Sequence, residues 1–266
     1  MKTGTTGGEK ACGISDTGSR LNNEDAIYPQ PETVCGRERL FLVCDGVGGT
    51  EKGEVASALA CEAIQAYFGA FLEGEVSEEF VEKAIRYTEA RFDEYTGCHP
   101  EARGMATTLT LLYVGDGYAV SAHVGDSRIY QFREGKMMHR TEDHSLVNTW
   151  IKLGKLSEED ARVHPRKNVI LKAIGGSAHP VEAEIKVLYD VKEGDHFFLC
   201  TDGVMEAVKD DYLGELFDGS RTSDVIKDKL AEACSLRSRD NYSFYIVPIN
   251  DKRRTITASL LSFCLW

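Results

Sequence analysis

Four short aspartate-bearing signatures recur along this chain, each where an apolar run gives way to a glycine-rich or polar turn. They are F-L-V-C-D-G-V-G-G around Asp45 and Gly46, H-V-G-D-S-R around Asp126, F-F-L-C-T-D-G around Asp202, and R-D-N around Asp240. Carboxylates that converge on one low-dielectric cleft repel each other, so they must take up protons, spread apart or enclose a cation. A hard divalent ion matches such oxygen ligands, and the glycine after Asp45 lets a backbone carbonyl approach it. Arg20-x-x-Asn23-Glu24-Asp25 adds a guanidinium whose planar fork suits phosphate. Singly, each signature also reads as an ordinary Asp-capped turn. Together they predict a protein that holds metal through oxygen ligands and uses it for hydrolysis.

The Gly-rich run after Asp45 also invites comparison with a nucleotide-binding loop. Lys52 is preceded by Glu51 and followed by Gly53, so the Gly-Lys-Ser/Thr of a P-loop is absent, and no G-x-G-x-x-G is formed.

The elements that must position these residues follow from periodicity. Residues 40–44 and 197–200 read as buried strands leading into Asp45 and Asp202. Residues 53–72 carry one apolar stripe at helical spacing. A second helix is expected from Ser77, an N-cap followed by Glu78 and Glu79. Residues 107–114, 118–124, 128–133 and 136–140 read as short antiparallel strands joined by tight turns at 115–117 and 134–135. Short helices at 143–153 and 157–163, strands at 181–189 and 196–200, helices at 212–217 and 222–234, and a last strand at 242–249 complete the reading. Helix pairs and strand groups interleave without βαβ regularity. The prediction is an α+β fold of two packed antiparallel sheets with helices on both outer faces, in a single domain over residues 1–250.

With 266 residues, 42% of them hydrophobic and 28% charged, the chain has ordinary globular composition. A formal net charge of −12 argues against a general nucleic-acid partner. Eight scattered cysteines without a C-x-x-C pair suggest reduced core residues. No apolar stretch is long enough for a transmembrane helix, and residues 1–10 lack the apolar core of a signal peptide. A cytoplasmic location is expected. The basic-apolar tail at 251–266 is read as a segment beyond the domain.

Beyond single motifs, the ordered set R-L-N-N-E-D, D-G-V-G-G-T-E-K-G-E-V-A-S, G-M-A-T-T, H-V-G-D-S-R-I-Y, T-E-D-H-S-L-V, H-P-R-K-N-V-I, L-C-T-D-G-V and R-D-N-Y-S runs from Arg20 to Ser243, within a resemblance that covers roughly residues 11–247. It resembles the metal-dependent serine/threonine protein phosphatases of the type 2C family, above all its compact bacterial members. The resemblance implies a central β-sandwich flanked by helices, a four-layer αββα arrangement, with Mn²⁺ or Mg²⁺ at one edge. It implies that Asp45 bridges two ions and that the Gly46 carbonyl is a further ligand. Asp202 and Asp240 would complete the first ion's ligands, and Glu24 would act at the second through water. Asp126 would hold a third, weaker ion that Asp202 shares. Arg20 would clamp the phosphate, with Asp45 and Asp202 as its catalytic companions, and residues 146–174 would form a mobile flap.

The implied reaction is hydrolysis of phosphoserine and phosphothreonine by a metal-activated water, without a Ser or Cys nucleophile. The implied partners are phosphoprotein substrates, including a cognate Ser/Thr kinase and its targets. The alternatives are a catalytically silent phosphoprotein-binding scaffold of the same fold and a hydrolase of small phosphate esters. One departure concerns Val47. Some family members carry a histidine there as a proton donor, and bacterial ones usually carry methionine; valine cannot transfer a proton. His123 and His144 are read as a packed strand residue and a helix-start residue, with no catalytic role.

Overall fold

The computed structural model describes residues 9–47 and 52–250. The first sheet contains β1 (Cys12–Asp16), β6 (Arg128–Arg133), β7 (Lys136–Arg140), β9 (His196–Cys200) and β10 (Tyr242–Pro248), in the order β1-β10-β9-β6-β7. The second contains β2 (Asp25–Tyr28), β3 (Leu40–Asp45), β4 (Leu109–Val114), β5 (Ala119–Val124) and β8 (Glu184–Leu188), in the order β2-β3-β4-β5-β8. Every neighbouring pair is antiparallel.

Alternation along the strands explains why the sheets stack. In β3, Phe41 and Val43 face the other sheet, where they join Ile129, Phe197, Leu199 and Tyr245 in the inner core. Leu40, Leu42 and Cys44 face outward into a second core. That outer face is covered by α1 (Gly53–Phe71) and α2 (Glu78–Cys98), which bury Ala56, Ala60, Ile64, Val81, Ile85 and Phe92. Ser77 caps α2, its side chain accepting from Phe80 N at 3.2 Å. The first sheet's outer face is covered by α5 (Asp202–Ala207), α6 (Asp210–Leu216) and α7 (Ser223–Arg237), with Phe198, Phe244, Leu213 and Leu230 in a third core. Two shorter helices, α3 (Leu146–Lys152) and α4 (Glu158–Val163), lie between β7 and β8.

The expected layering of two antiparallel sheets between helices is therefore what the chain adopts. Four local readings change. The strands at 107–140 do not make one meander, because β4 and β5 belong to one sheet and β6 and β7 to the other. The chain crosses at Gly125–Ser127, where Gly125 takes φ +100° and an added Cβ would lie 2.6 Å from the Thr108 side chain. The four residues of β2 were not read as a strand, and α5 was not read as a helix. The run expected as a strand at 181–189 is ordered as one only over Glu184–Leu188. The tail at 251–266 and Gly48–Gly49 of the glycine-rich run lie outside the described residues.

Candidate active site

The sandwich delivers carboxylates to one end from both of its sheets. Asp45 ends β3 and stands in register with Asp25, the first residue of β2. Asp202 follows β9 and opens α5, while Asp240 directly precedes the Asn241 that leads into β10. The carboxyls of Asp45 and Asp202 are close enough to act on each other's protonation. Asp126 sits in the turn that crosses between the sheets and is 7% exposed. Glu24 lies against the start of α1, where an added Cβ on Gly53 would come within 2.9 Å of its carboxyl carbon.

Hydroxyls and amides fix this arrangement from behind. Asp45 N donates to Thr108 Oγ1 at 3.0 Å, and Thr108 Oγ1 lies 2.8 Å from Ser127 Oγ. Because the threonine hydroxyl accepts from Asp45, its own proton is available for Ser127, next to Asp126. The Asp45 carbonyl accepts from Thr108 N at 2.8 Å and from Thr107 Oγ1 at 2.9 Å. Gly46 N donates to the Glu24 carbonyl at 2.9 Å, which also accepts from Ser57 Oγ at 2.6 Å. Space at Gly46 admits no side chain, since a Cβ would fall 2.2 Å from the Gly53 carbonyl oxygen.

Asn241 ties the other side. Its Oδ1 accepts from Glu24 N at 2.9 Å, and its Nδ2 donates to the carbonyls of Thr17 and Asn22, each at 2.8 Å. The loop held this way carries Arg20, whose guanidinium reaches Asp240 Oδ2 at 2.7 Å while 56% of the side chain stays exposed. A solvent-facing guanidinium beside a carboxylate cluster is placed to meet an incoming anion.

Electrostatics show what the cleft lacks. Burial pushes the Asp25 carboxyl up to about 7, with the charges of Asp202 and Asp240 adding to the effect. Asp202 is pushed up to about 6 by burial, then by Asp240 and Glu206. Asp45 and Asp126 are driven well above the usual carboxylate range, first by burial and then by neighbouring carboxylates. Glu24 moves up for the same reasons, with Glu54 as its largest charged cause. Asp25 Oδ1 and Asp126 Oδ1 are buried without a hydrogen-bond partner. A site so short of positive charge, and lined by hard oxygen donors, fits divalent cations.

All the residues singled out from the sequence thus gather at this end: Arg20, Glu24, Asp45, Gly46, Asp126, Asp202 and Asp240. Asp25 was quoted within a motif but given no role, although it is 8% exposed and among the carboxylates of the cleft. Thr108, Ser127 and Asn241 were likewise inside quoted motifs without an assigned contact. The signal for Asp25 was its place next to Glu24 at the head of a short alternating run.

Comparison with known proteins agrees with this architecture. The model of the family described as "Protein phosphatase 2C" matches residues 12–234. The chain belongs to the protein phosphatase 2C family. Members of this family are metal-dependent enzymes that dephosphorylate serine and threonine residues of proteins. The serine/threonine phosphatase stp of Listeria innocua is 32% identical over 240 residues, covering 87% of this chain and 92% of its own. Among solved structures, the serine/threonine phosphatase Stp1 of Staphylococcus aureus superposes with a TM-score of 0.80 at 30% identity, over 94% of this chain and 98% of its own. The catalytic domain of the serine/threonine protein phosphatase PstP, solved with 2 manganese ions, superposes with a TM-score of 0.75 at 27% identity, over 90% and 96% of the two chains.

The segment between Ser145 and Ile174 runs beside the cleft. Bridges join Ser145 to Ile170 and Thr107 to Ile174, closing its two ends. Lys167 from this segment pairs with Glu206 of α5 at 3.0 Å. Gly154, between α3 and α4, takes φ +65° with open space around it. Arg128 holds the segment's entrance through a two-pronged pair with Asp143, at 2.6 and 2.7 Å.

Proposed function

We propose that this chain hydrolyses phosphoserine and phosphothreonine in proteins, with Mn²⁺ or Mg²⁺ in the carboxylate cleft. The observation that carries the reading is the convergence of Asp25, Asp45, Asp126 and Asp202 on one cleft, each raised first by burial and then by neighbouring carboxylates. Asp45, the Gly46 carbonyl, Asp202, Asp240 and Glu24 would hold two ions. Asp126, with Asp202, would hold a third and weaker ion. When bound, such ions offset the clustered negative charge, screen a phosphate dianion and lower the pKa of a water.

The chain's own groups then have separate tasks. Arg20, exposed at the mouth, would grip the phosphate and orient it over the cleft. Asp25 Oδ1, buried and unpartnered next to Asp45, would take and hold a proton from a cleft water. Its Oδ2 is kept in place by Thr201 Oγ1 at 3.1 Å. Val47 has no proton to give to the leaving alcohol, so that proton would come from solvent in the cleft. Residues 146–174 would act as a flap hinged at Gly154 and would bear on substrate choice, within a single domain over residues 1–250.

The substrates would be phosphoproteins, including a cognate Ser/Thr kinase and its targets. Among the described residues no helix is long and apolar enough to cross a membrane. The seven described cysteines are all free, and Cys44 and Cys61 remain thiols although their sulfurs lie 3.7 Å apart. Those thiols support a reducing, cytoplasmic setting.

The test is phosphate release from a phosphothreonine peptide with and without Mn²⁺. Turnover that needs the ion, and a kcat/KM well above that for a small aryl phosphate, would support the reading. Undiminished turnover in excess chelator would rule out the metal. Tight phosphopeptide binding with no turnover in saturating Mn²⁺ would leave only a scaffold.

A further inference from the structure

Behind the Gly125–Asp126 turn, the edge of the inner face between the sheets is polar. His123 on β5 pairs in register with Glu184 on β8, and its ring is wholly buried. The His144 ring, just ahead of α3, stacks on it with centroids 4.4 Å apart and planes 17° from parallel. One ligand-capable atom from each of His123, His144 and Glu184 lies within 4.8 Å of the other two. We propose that His123, His144 and Glu184 form a binding site for a Zn²⁺-class divalent ion, separate from the carboxylate cleft.

The protonation pattern of His123 is the strongest argument. Its Nε2 lies 2.8 Å from the Glu142 carbonyl oxygen, which can only accept, so Nε2 carries the proton. Nδ1 is therefore a bare lone pair, and it is buried without a partner. A metal-binding imidazole is typically set up this way, with one nitrogen donating to a backbone carbonyl and the other left to the ion. Two imidazoles and one carboxylate make a donor set that zinc accepts with a fourth position open. His139 on β7 has a buried Nε2 that also lacks a partner, and it feels the charges of Lys186, Glu184 and His123. It is the nearby candidate for that fourth position. Desolvation keeps these rings neutral, with His139 and His144 both lowered to about 4, so an ion would displace no imidazolium proton at neutral pH.

Two contacts must yield. Lys186 holds Glu184 at 2.6 Å, and its half-exposed side chain is free to turn outward when a dication takes its place. His144 Nδ1 accepts from Gly125 N at a long 3.2 Å; ligation through Nε2 moves the ring proton to Nδ1 and gives up that bond. Zinc–ligand bonds of about 2.0–2.2 Å also require the three groups to draw together. The bond surrendered is the one that backs the Gly125–Asp126 turn. His144 itself anchors the flap-like segment through His144 N to Gly125 O at 2.8 Å and Leu171 N to His144 O at 2.7 Å. An ion here would tighten that base.

The experiment uses the full chain carrying Asp45→Asn, which weakens the cleft, with and without Glu184→Gln. Equilibrium dialysis against Zn²⁺, and Co²⁺ as a visible probe, reads the stoichiometry and coordination. The proposal expects one tightly held equivalent in Asp45→Asn, with the intense visible bands of four- or five-coordinate Co²⁺. Adding Glu184→Gln, or His144→Ala in its place, should weaken that equivalent at least ~100-fold. Retention of the same equivalent in the double variants, or only weak six-coordinate Co²⁺ throughout, would overturn it. Near-UV circular dichroism of each variant confirms that a lost ion reflects a lost ligand and not a lost fold.

Discussion

Asp25 and Asp45 face each other in register on adjacent antiparallel strands, and both are pushed toward protonation by burial and by the carboxylates around them. Like charges directly opposite on a sheet are normally avoided. Their retention here costs stability that only a proton or a cation restores, and the predictions below follow from that tension.

Replacing Asp45 with Asn should abolish most activity, on the order of 10³-fold in kcat, because a carboxylate proposed to hold the ions is lost. The same change should stabilise the chelated protein, since one member of a repelling set is removed. Each kcal/mol of relief would raise Tm by roughly 2–4 °C for a domain of this size. Calorimetry in chelator, beside a phosphopeptide assay in Mn²⁺, checks both halves. A variant less stable than the parent in chelator would contradict the repulsion argument.

An acid whose folded pKa lies above its unfolded value binds more protons when folded, so its contribution to stability is lost as pH rises through the folded value. Asp25 and Asp202 move from 3.8 to about 7 and about 6. Without metal, the protein should therefore lose stability between about pH 4 and pH 7. Saturating Mn²⁺ should flatten or reverse the trend, since the ion favours the ionised carboxylates. Chemical denaturation at pH 5 and pH 8, with and without the ion, gives the comparison.

Arg20 is largely exposed and touches Asp240, so its removal should leave the fold intact. Arg20→Ala should lower kcat/KM for a phosphopeptide by about 10- to 100-fold, in line with the loss of one charge-assisted pair. Arg20→Lys should recover only part of the loss, because an ammonium cannot match two phosphate oxygens at once. Steady-state kinetics on the three proteins would decide the matter, with equal activity of the lysine variant counting against the fork geometry.

Asn241, just ahead of β10, makes three part-buried hydrogen bonds to the loop carrying Arg20 and to Glu24. Asn241→Ala removes the partners of Glu24 N and the Asn22 carbonyl, while the Thr17 carbonyl keeps Arg20 N at 3.2 Å, and should cost about 2 kcal/mol. Mn²⁺ affinity should fall about 10- to 100-fold, as for other groups that orient a ligand without touching the ion. Urea melts and a Mn²⁺ titration of activity would report the two effects separately.

The layers of the fold were legible because both faces of most strands are apolar and the helices carry clear stripes. Residues 53–72 and the Ser77 cap needed no tertiary information. Asp25 was harder to place, because its burial comes from the register with Asp45 and from Thr201 just after β9, contacts that no local pattern encodes. Gly203 disguised α5 as a turn; the glycine is there because any Cβ would collide with the Asn241 carbonyl 2.0 Å away. The crossing at Gly125 was invisible for a related reason: a tight turn between two strands reads alike whether the second strand stays in the sheet or leaves it. His123, His144 and Glu184 were unremarkable one by one. Only the pairing of β5 with β8 and the return of the chain before α3 bring them together.

The carboxylates of the cleft come from both halves of the sandwich, Asp25 and Asp45 from one, Asp202 and Asp240 from the other. A cell starved of divalent metal would thus hold molecules that are pried apart at that rim as well as idle. Quality-control proteases act on such loosened chains. With the proposed ions in the cleft, the protein's abundance would then follow metal supply.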